Sequence, residues 1–435
     1  MDKLATAKRL MQELKSHGHQ ALFNGGCVRD RLRGKTPKDY DIATSATPEQ
    51  VQKLFPRTVL VGAQFGVVVV VDGEENYEIA TFRSESNYRD GRHPENVQFS
   101  TIEEDVKRRD FTVNGLYWDG ESKDAVDLVG GQKDLQARLI RAIGEPSERF
   151  LEDHLRLLRA VRFAVQLGFE IEEKTLAAVK THAPKIVSVS AERVRDELTK
   201  ILTSPQPGRG VRLLDETGLL EHVLPEILPM KGVEQPPQYH PEGDVYVHTL
   251  MLLDQLSEAP AELAWGALLH DVAKPATFER AVDRIRFNGH DRIGAQMSEK
   301  ILRRLAFSNE SRELICALVA EHLRFKDVFN MKVSTLKRFF SLDRFDLHMA
   351  LHKIDCMASH KDLSAYAFCE AKLAEFAKDP PPPLRLVTGQ DLIALGFSPG
   401  PRFSEILRVV EDAILEGKVK SKEEGIALVK REYLK

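Results

Sequence analysis

The distribution of strand-like segments divides this chain into two parts. Short runs of β-branched residues alternate with helical segments over the first ~145 of its 435 residues, whereas the remainder lacks convincing strands and shows helical spacing of apolar residues. We therefore predict an α+β head, a small mixed sheet with helices, followed by an all-α body. A chain of this length allows two to four domains, each with its own core.

Segments rich in proline and glycine divide the chain further. We predict a linker at EQPPQYHPEGD, near residue 235, and another boundary at KDPPPPLRL, near residue 380. The predicted domains are a head (1–145), a helical neck and body (146–235), a second helical domain (236–378) and a C-terminal helical tail (379–435).

Composition excludes several classes of protein. Hydrophobic residues make up 42% and charged residues 29% of the chain, and no apolar run approaches the ~18 residues of a membrane span. The start, MDKLATAKRLMQELKSHG, is typical of an amphipathic helix rather than a signal peptide. The four cysteines form no CxxC pair, which favours a reducing compartment. We therefore expect a cytoplasmic protein with no membrane partner.

The formal net charge of −4 means that any nucleic acid must be held by local basic patches. One candidate patch is RDRLRGKTPK, at residues 29–38. The other is a series of arginines, namely Arg138, Arg141, Arg149, Arg156, Arg159 and Arg162. Taken alone, each patch is also compatible with a solvated helix face.

Two aspartates one residue apart, in KTPKDYDIATSATPEQV, are the first candidates for chemistry. We predict a strand through DYDIAT, which points Asp39 and Asp41 to the same side. Two like charges held together cost free energy unless a cation or water screens them, so the pair is either a solvated strand end or a metal site. The next helix is predicted to start at Pro48, with a capping box between Thr47 and Gln50.

Neighbouring motifs favour a metal site that acts on a triphosphate. NGGCVRD, a predicted strand, glycine turn and helix start, offers Gly25, Gly26 and Arg29 to a phosphate group. FGVVVVVDGEENYEIATFR is a predicted hairpin whose second strand carries a third carboxylate, Glu78, and ends near Arg83. Phosphoryl transfer needs hard cations held by carboxylates and basic groups that take up phosphate charge. These residue types meet that need.

The sequence resembles the nucleotidyltransferase superfamily typified by DNA polymerase β, and closely the bacterial tRNA nucleotidyltransferase (CCA-adding) and poly(A) polymerase family. The resemblance covers residues ~20 to ~200 and rests on GGCVRD, DYDIAT, YEIATFR, DGRHP, RRDFTVNG and EDHLRLLRAVRF, in family order. It implies that Asp39 and Asp41 carry Mg²⁺, and with Glu78 they are the candidate catalytic residues. The candidate nucleotide-binding residues are Gly25, Gly26, Arg29, Arg83, Arg109, Asp110, Asn114, Asp153, Arg156, Arg159 and Arg162.

One motif departs from the family pattern. The usual Asn-Ala after RRDFT is here Asn114-Gly115, a change that is expected only to loosen packing. Asp110 and Asn114 are also compatible with a structural cap and turn.

The segment EDHLRLLRAVRF is a candidate for choosing the base. We predict one long helix through SERFLEDHLRLLRAVRFAVQLGF, which places Asp153 and Arg156 on one face, with Arg159 and Arg162 close to it. Cytosine and adenine both present an exocyclic amine beside a ring-nitrogen acceptor, so a carboxylate and a guanidinium together select C or A over G or U. The resemblance implies this use of the four residues. The alternative is an i,i+3 surface ion pair worth roughly a few tenths of a kcal/mol.

The polar segment SESNYRDGRHPENVQF is predicted to be a loop that acts as a mobile lid, with Arg89, Asp90 and Arg92 around Gly91. In the resembled family a flexible loop in this region helps to switch specificity from C to A, and enzymes that add only CC have a shortened loop. Its length here argues against a CC-only enzyme.

A second set of metal-ligating residues lies in the predicted 236–378 domain. Eight of the fourteen histidines fall between residues 240 and 360, a density too high for core packing by chance. The order H…HD…D resembles an HD-type phosphohydrolase domain and implies a divalent metal, of unknown identity, at His248, His270, Asp271 and Asp355. The expected activity is that of a phosphatase or cyclic phosphodiesterase that repairs RNA ends, and the alternative is a vestigial, structural domain.

The predicted function is that of a template-independent RNA nucleotidyltransferase that adds C and A to the 3′ end of tRNA. The tRNA 3′-hydroxyl attacks the α-phosphorus of CTP or ATP, pyrophosphate leaves, and the acceptor arm is held by backbone and shape contacts along the helical body. A poly(A) polymerase or an enzyme that adds only the terminal A is the alternative in the same class. A degenerate nucleotide sensor that regulates the HD hydrolase, or a non-catalytic RNA-binding scaffold, is disfavoured by the intact carboxylate set.

Overall fold

The computed structural model describes residues 2–60, 66–88, 91, 94–236, 243–378 and 385–434. The chain divides into two compact units. The first comprises Met1–Pro229, Leu256–Ala261 and Ile301–Phe307, and the second comprises Met230–Gln255, Glu262–Lys300 and Ser308–Lys435. The main division, after Pro229, lies close to the linker predicted near residue 235.

A mixed sheet forms the head of the first unit, as predicted. The strands of this unit are β1 (Ala21–Asn24), β2 (Ile42–Thr44), β3 (Thr58–Leu60), β4 (Val67–Asp72), β5 (Glu75–Thr81), β6 (Arg83–Tyr88), β7 (Pro94–Phe99), β8 (Leu116–Trp118), β9 (Val126–Asp127), β10 (Leu139–Ile140) and β11 (Glu170–Ile171). Seven of them form one sheet in the order β3-β4-β5-β2-β1-β8-β9, in which β2 and β5 are the parallel neighbours.

Helices build the rest of the first unit. They are α1 (Lys3–Ser16), α2 (Gly26–Leu32), α3 (Pro48–Leu54), α4 (Ile102–Lys107), α5 (Gly131–Ala137), α6 (Pro146–Glu152), α7 (Arg156–Leu167), α8 (Glu173–His182), α9 (Ala191–Leu202), α10 (Pro207–Glu216) and α11 (Leu219–Val223). Short 3₁₀ helices occupy Thr112–Asn114, Ala183–Ser188 and Pro225–Met230. The predicted capping box of α3 is confirmed, because the side chains of Thr47 and Gln50 each accept from the other's backbone N–H.

The register of β2 and β5 decides where the candidate carboxylates lie. Ile42 of β2 is paired with Ile79 of β5, and both side chains are buried in the core cluster on one face of the sheet. Ala43 belongs to a separate cluster on the other face. Because successive side chains alternate between faces, Asp41 and Glu78, which precede the paired isoleucines, lie on the face of Ala43.

The prediction of a strand that includes both aspartates was wrong. The strand β2 begins at Ile42, and Asp39 and Asp41 lie in the segment that enters it. The backbone N–H of Asn24 still donates to the carbonyl of Asp41 at 3.1 Å, which extends the β1–β2 pairing by one residue. After Asn24 the chain leaves β1 and turns at Gly25. Within the described residues, Asp39 is therefore not paired with a strand.

The prediction of a loop at SESNYRDGRHPENVQF was also wrong. Most of this segment forms the antiparallel pair β6–β7, in which cross-strand hydrogen bonds satisfy the backbone. The predicted lid residues Arg89, Asp90 and Arg92 lie outside the described residues. Gly91, between them, is buried, and its carbonyl accepts the backbone N–H of His154 at 3.0 Å.

The single long helix predicted from residue 147 is instead two helices. Helix α6 ends at Glu152, and α7 begins at Arg156. Between them the N–H of His154 donates to Gly91, and the carboxylate of Asp153 accepts the N–H of Leu155 at 3.1 Å. The backbone N–H groups of His154 and Leu155 therefore donate to Gly91 and to the Asp153 side chain. In a continuous helix they would donate to carbonyls four residues earlier.

The second unit is helical, as predicted, apart from one small hairpin. Its helices are α12 (Val245–Leu253), α13 (Ala261–Leu269), α14 (His290–Arg304), α15 (Asn309–Glu321), α16 (Val333–Phe340), α17 (Phe345–Ala358), α18 (Ser364–Phe376), α19 (Gly389–Ala394), α20 (Pro401–Leu415) and α21 (Lys422–Tyr433). The hairpin strands are β12 (Phe278–Arg280) and β13 (Ile285–Phe287), and 3₁₀ helices occupy Pro275–Thr277 and His322–Asn330. Helices α19 to α21 bury a hydrophobic cluster of their own. No described helix is both long and apolar enough to cross a membrane.

Candidate active site and metal-ligand cluster

A cavity of about 750 Å³ in the first unit brings the sequence motifs together. Twelve of the predicted site residues line it, and they are Gly25, Gly26, Arg29, Asp39, Asp41, Arg109, Asp110, Asn114, Asp153, Arg156, Arg159 and Arg162. The paired aspartates, the glycine turn and the arginines of α7 therefore meet around one space. Two predicted residues, Glu78 and Arg83, are not among its lining residues, and Arg83 is paired with Glu85 instead.

The carboxylates at the cavity repel one another. Burial, together with the charges of Glu78 and Asp39, raises the pKa of Asp41 to about 6, and Arg109 only partly opposes this. Glu78 is exposed but lies close enough to raise the pKa of Asp41. The two residues are neighbours because each lies one residue before the paired Ile42 and Ile79. A half-buried carboxylate held beside two others is the donor chemistry that a hard divalent cation binds.

The glycine turn between β1 and α2 has the backbone shape that its sequence suggests. Gly25 has φ +66° and ψ −126°, a conformation that side-chain-bearing residues rarely adopt. Its N–H donates to the carbonyl of Leu116 at 3.1 Å, which ties the turn to β8. A Cβ at this position would meet Nη1 of Arg109 at 3.5 Å, an ordinary contact, so it is the positive φ rather than the available space that requires glycine.

A buried aspartate that sequence reasoning missed positions Arg109. Asp105, on α4, is only 1% exposed, and its Oδ2 accepts from Arg109 Nη2 at 3.0 Å and from the hydroxyl of Tyr117 at 2.7 Å. Its Oδ1 accepts from Arg108 Nη2 at 2.8 Å. Burial opposes ionisation, but the two arginines hold the pKa of Asp105 below its ordinary value. The available signal was the i,i+4 spacing of Asp105 and Arg109.

Asp110 and Asn114 form a structural turn and also line the cavity. A structural role and a nucleotide-binding role are therefore compatible for these two residues. Asp110 accepts from Arg159 Nε at 2.8 Å and from Asn114 Nδ2 at 3.1 Å. Burial opposes its charge, but Arg159 and Asn114 lower its pKa to about 2. The Oδ1 of Asn114 accepts from Arg29 Nη1 at 2.7 Å. A continuous network therefore links the arginine of the glycine turn to the arginine of α7.

The i,i+3 ion pair considered for Asp153 and Arg156 does not form. Asp153, in the break between α6 and α7, accepts from Arg193 Nη2 at 3.2 and 3.3 Å. Arg156 is 8% exposed and donates to Glu152 at 2.7 Å and to the carbonyl of Arg108 at 2.6 Å. A carboxylate has about four acceptor sites, and Asp153 uses three of them, so it retains room for one further donor.

Several lining residues were not predicted, namely Asn24, Lys38, Arg108, Phe163, Gln166 and Lys200. Asn24 is 6% exposed, and its buried Nδ2 has no hydrogen-bond partner within the described part of the chain. Arg162 lies 2.9 Å from the buried Glu197, and burial lowers the pKa of this arginine to about 10, which still leaves it charged at neutral pH. Glu197 does not line the cavity itself, and only the fold brings it to Arg162, because a lone Glu carries no sequence signal.

A second cavity, of about 690 Å³, shares the carboxylates with the first. Gly26, Arg29, Asp39 and Asp41 line both. The second also contains basic residues of the RDRLRGKTPK patch, Arg33, Lys35 and Lys38. The paired aspartates therefore stand where two polar cavities meet.

The second unit contains a cluster of buried histidines around Asp271. His248 lies on α12, His270 and Asp271 follow α13, and Asp355 lies on α17, so the structure brings all four predicted residues together. The Nε2 of His248 lies 3.0 Å from Asp355 Oδ1, and the Nε2 of His270 lies 3.2 Å from Asp271 Oδ2. Burial opposes ionisation of Asp271, but His270 and the neighbouring Lys274 hold its pKa well below the ordinary value.

Two further histidines complete this cluster. His290 begins α14, and His322 follows α15. The ligand atoms of Asp271, His290 and His322 all lie within 4.8 Å of one another, as do those of His248, His270 and Asp271. Burial lowers the pKa of His322 to about 4, so this imidazole is neutral at pH 7, as a metal ligand must be. Both histidines lie in the histidine-rich region between residues 240 and 360, but the H…HD…D order does not predict them as ligands.

The raised pKa of Asp41 predicts a conflict between stability and function. The pKa of the Asp41 carboxyl group is about 6 in the folded chain, whereas its ordinary value is 3.8. At pH 8 the group is ionised in both the folded and the unfolded chain, and keeping it ionised in the folded chain costs about 2 to 3 kcal/mol of folding free energy. Asp41→Asn should therefore raise the free energy of unfolding at pH 8 in the absence of divalent metal. The gain should shrink as pH falls through 6, because the native carboxylate then becomes protonated.

Urea denaturation of both proteins at pH 8 and pH 5 measures this effect. Asp39→Asn, at the exposed neighbouring carboxylate, is the matched control and should stabilise much less. A variant Asp41→Asn that is equally or less stable than the parent at pH 8 would contradict the assigned repulsion.

Comparisons with known proteins agree with this architecture. Residues 21–141 match the family described as "Poly A polymerase head domain", residues 168–231 match "Probable RNA and SrmB- binding site of polymerase A", and residues 243–347 match "HD domain". The CCA-adding enzyme of Bacillus cytotoxicus is 33% identical over 98% of this chain and 98% of its own length. That of Geobacillus kaustophilus is 46% identical over 49% of this chain and 53% of its own length.

Solved structures give the same result over the whole chain. The Bacillus stearothermophilus CCA-adding enzyme in complex with CTP superposes with a TM-score of 0.78 at 30% identity, covering 99% of this chain and 98% of that one. The Thermotoga maritima CCA-adding enzyme complexed with tRNA, at 19% identity and a TM-score of 0.60, shares the fold over 98% of this chain and 94% of its own. This chain belongs to the family of CCA-adding enzymes, which are tRNA nucleotidyltransferases.

Proposed function

We propose that this chain adds C, C and A to the 3′ end of tRNA from CTP and ATP, releasing pyrophosphate, at the cavity of about 750 Å³ in the first unit. The observation that carries the proposal is that the paired aspartates, the glycine turn and the arginines of α7 line one space. In this proposal residues 1–145 catalyse, 146–235 select the base and bind RNA, 236–378 form the hydrolase and 379–435 are a helical tail. The cytoplasm, where tRNA substrates are found, is the proposed location.

Asp39 and Asp41 are the proposed ligands of Mg²⁺, with Glu78 in support. The donor set fits, because all three side chains are carboxylates, and because burial together with the charges of Glu78 and Asp39 raises the pKa of Asp41, which Arg109 only partly opposes. Bound Mg²⁺ supplies Lewis-acid activation of a hydroxyl and neutralisation of phosphate charge.

The protein's own groups position the two substrates. Gly25 and Gly26 let the triphosphate approach the backbone, and Arg29 and Arg109 take up its charge, with Arg109 held in place by Asp105. The tRNA 3′-hydroxyl gives up its proton to solvent, its oxygen bonds to the α-phosphorus, the bond from the α-phosphorus to the oxygen that bridges the α- and β-phosphates breaks, and pyrophosphate leaves. The two cavities that meet at the aspartates offer separate approaches for the nucleotide and the RNA end.

Base choice is assigned to Asp153 with the arginines of α7. Asp153 has room for one more donor, which suits the exocyclic amine of cytosine or adenine. Arg159 and Arg162 line the same cavity and offer N–H groups to a ring nitrogen. Arg156 donates to Glu152 and to a backbone carbonyl, so its part in our proposal is to hold the α6–α7 break in shape.

Removing either aspartate should abolish nucleotide addition and leave tRNA binding intact. Asp39→Ala and Asp41→Ala are assayed with tRNA transcripts that end before C, CC or CCA, with each radiolabelled nucleotide triphosphate and Mg²⁺. Product ladders separate CCA addition from addition of A alone and from poly(A) synthesis. The exposed Asp124→Ala is the matched control and should behave as the parent. Retained addition by either site variant would refute the assignment.

Asp153→Ala should blur the preference for C and A over G and U. The expected result is a fall of about tenfold or more in the ratio of kcat/KM for CTP over UTP, since one charged hydrogen bond to the base is worth about 1.5 kcal/mol or more. Glu192→Ala, at an exposed position next to Arg193, serves as the control. An unchanged preference in Asp153→Ala would remove this residue from base selection.

A second activity, hydrolysis of phosphoesters, is proposed for the histidine cluster of the second unit. Asp271 Oδ2 is paired with Lys274 Nζ at 2.7 Å, whereas Asp271 Oδ1 and His290 Nε2 are buried without hydrogen-bond partners within the described residues, which fits residues that hold a divalent metal. A cavity of about 420 Å³ beside them is lined by Lys274 and by other basic residues that suit a phosphate group. In the reaction the oxygen of water bonds to phosphorus, the ester P–O bond breaks, and the leaving oxygen takes a proton.

The two activities should be lost independently. Asp271→Asn should abolish hydrolysis of 2′,3′-cyclic AMP, measured with Mg²⁺, Mn²⁺, Co²⁺, Ni²⁺ or Zn²⁺, while CCA addition persists. Asp39→Ala should give the reciprocal result. Absence of hydrolysis by the parent protein with all five metals would instead favour a vestigial domain.

A further inference from the structure

We infer that Phe163, on α7, is a positioning residue of the nucleotide site, because its ring gathers three guanidiniums that line the same cavity. The guanidiniums are those of Arg29, Arg159 and Arg162. This inference deepens the proposed CCA addition and rests on that function for the identity of the nucleotide. It gives a role to a lining residue to which the motifs of the sequence assign none.

The three guanidiniums lie at cation–π distance from the ring. Measured to the ring centroid, Cζ of Arg162 is at 4.1 Å, Cζ of Arg159 is at 5.4 Å and Cζ of Arg29 is at 5.5 Å. A guanidinium over an aromatic face within about 6 Å of the centroid is attracted by the ring quadrupole, and more strongly where water is excluded. Phe163 is 7% exposed, so little water weakens the attraction.

Local sequence brings two of the guanidiniums to the ring, and the fold brings the third. Arg159 precedes Phe163 by four residues on α7, which places both side chains on one face of the helix, and Arg162 is the adjacent residue. Arg29 comes from α2, which starts at the glycine turn. The ring therefore joins the arginine proposed for the triphosphate to the arginines proposed for base choice.

Each of the three guanidiniums also has a carboxylate partner, and the carboxylates come from three different parts of the chain. The pairs are Arg29 with Asp30 at 2.9 Å, Arg159 with Asp110 at 2.8 Å and Arg162 with Glu197 at 2.9 Å. A carboxylate fixes one edge of a guanidinium, and attraction to the ring adds a second, independent restraint. Loss of the ring quadrupole should therefore leave the ion pairs in place but loosen the guanidiniums, which raises the entropic cost of binding a nucleotide.

The three cations are close enough to affect one another. Burial lowers the pKa of Arg162 to about 10, although Glu197 opposes this. The charges of Arg159 and Arg29 lower the pKa of Arg162 further. Like charges in a partly buried site repel one another, and the negative face of the Phe163 ring attracts all three, so it offsets part of that repulsion.

The ring itself is held by the neighbouring aromatic residue Phe111. The two ring centroids are 5.8 Å apart and the planes are inclined at 78°, which is the edge-to-face arrangement that aromatic pairs favour. Phe111 is completely buried and directly follows Asp110, the carboxylate that holds Arg159. The segment RRDFT thus fixes both the ring and one of its cations.

Stepwise fluorination of the ring tests the inference. Mono-, di- and trifluorinated phenylalanine, introduced at position 163 of the full chain by nonsense suppression, weaken the quadrupole progressively while the size of the ring hardly changes. The Kd for CTP, measured calorimetrically with Mg²⁺ and without tRNA, should rise at each step and by about tenfold in total. The Kd for UTP should rise less, because a poorly matched base has fewer contacts to lose.

The same series at Phe150 is the matched control. Phe150 lies on α6, is completely buried, and has no guanidinium or ammonium over its ring among the described residues. Its series should leave both Kd values unchanged. Phe163→Leu, checked for folding by circular dichroism, should weaken CTP binding as much as the trifluorinated ring does. A purely structural role predicts the opposite pattern, in which Phe163→Leu loses binding together with stability and the fluorinated proteins keep it.

A constant Kd for CTP across the series at Phe163, or an equally steep rise across the series at Phe150, would overturn the inference. An equal rise for CTP and UTP would also overturn it, because the ring would then not link the triphosphate to base choice. A parent protein that binds CTP but adds no nucleotide to tRNA would refute the proposed CCA addition alone, since the series is read from binding.

Discussion

Burial of Asp41 beside two other carboxylates is the constraint on which the candidate site of the head depends. The parallel register of β2 and β5 places Asp41 and the exposed Glu78 on one face, and the partial burial of Asp41 keeps water from fully screening its charge. The fold accepts a carboxylate whose pKa is raised to about 6, and it thereby lowers its stability at the site that we propose for a cation.

The arginines around this cavity have structural as well as binding roles. Arg29, Asn114, Asp110 and Arg159 form one hydrogen-bonded network, and Arg109 is fixed by the buried Asp105. Each guanidinium therefore has its position set before any nucleotide arrives, which lowers the entropic cost of binding. Arg156 has the most clearly structural role of these arginines, because its side chain donates to Glu152 and to backbone carbonyls.

The second unit also contains a buried carboxylate at its proposed metal site, but the neighbouring ligands are different. Asp271 is a buried carboxylate, and imidazole nitrogens whose far sides are held by backbone carbonyls surround it. Hard carboxylates alone suit Mg²⁺, whereas imidazoles with one carboxylate suit borderline metals. The two proposed sites of this chain therefore differ in the chemistry of their donor atoms.

The sequence by itself determined the mixed head sheet, the helical body, the capping box of α3 and the candidate residues that line the cavity of the head, because periodicity, turn residues and motif order are local properties. Tertiary structure decided the rest. The break at Asp153 depends on a hydrogen bond from His154 to Gly91, which is far away in the sequence. Likewise, His290 and His322 join Asp271 only because α14 and α15 converge on it. Contacts between residues far apart in sequence leave no periodic signal, so only the folded chain shows which residues share a site.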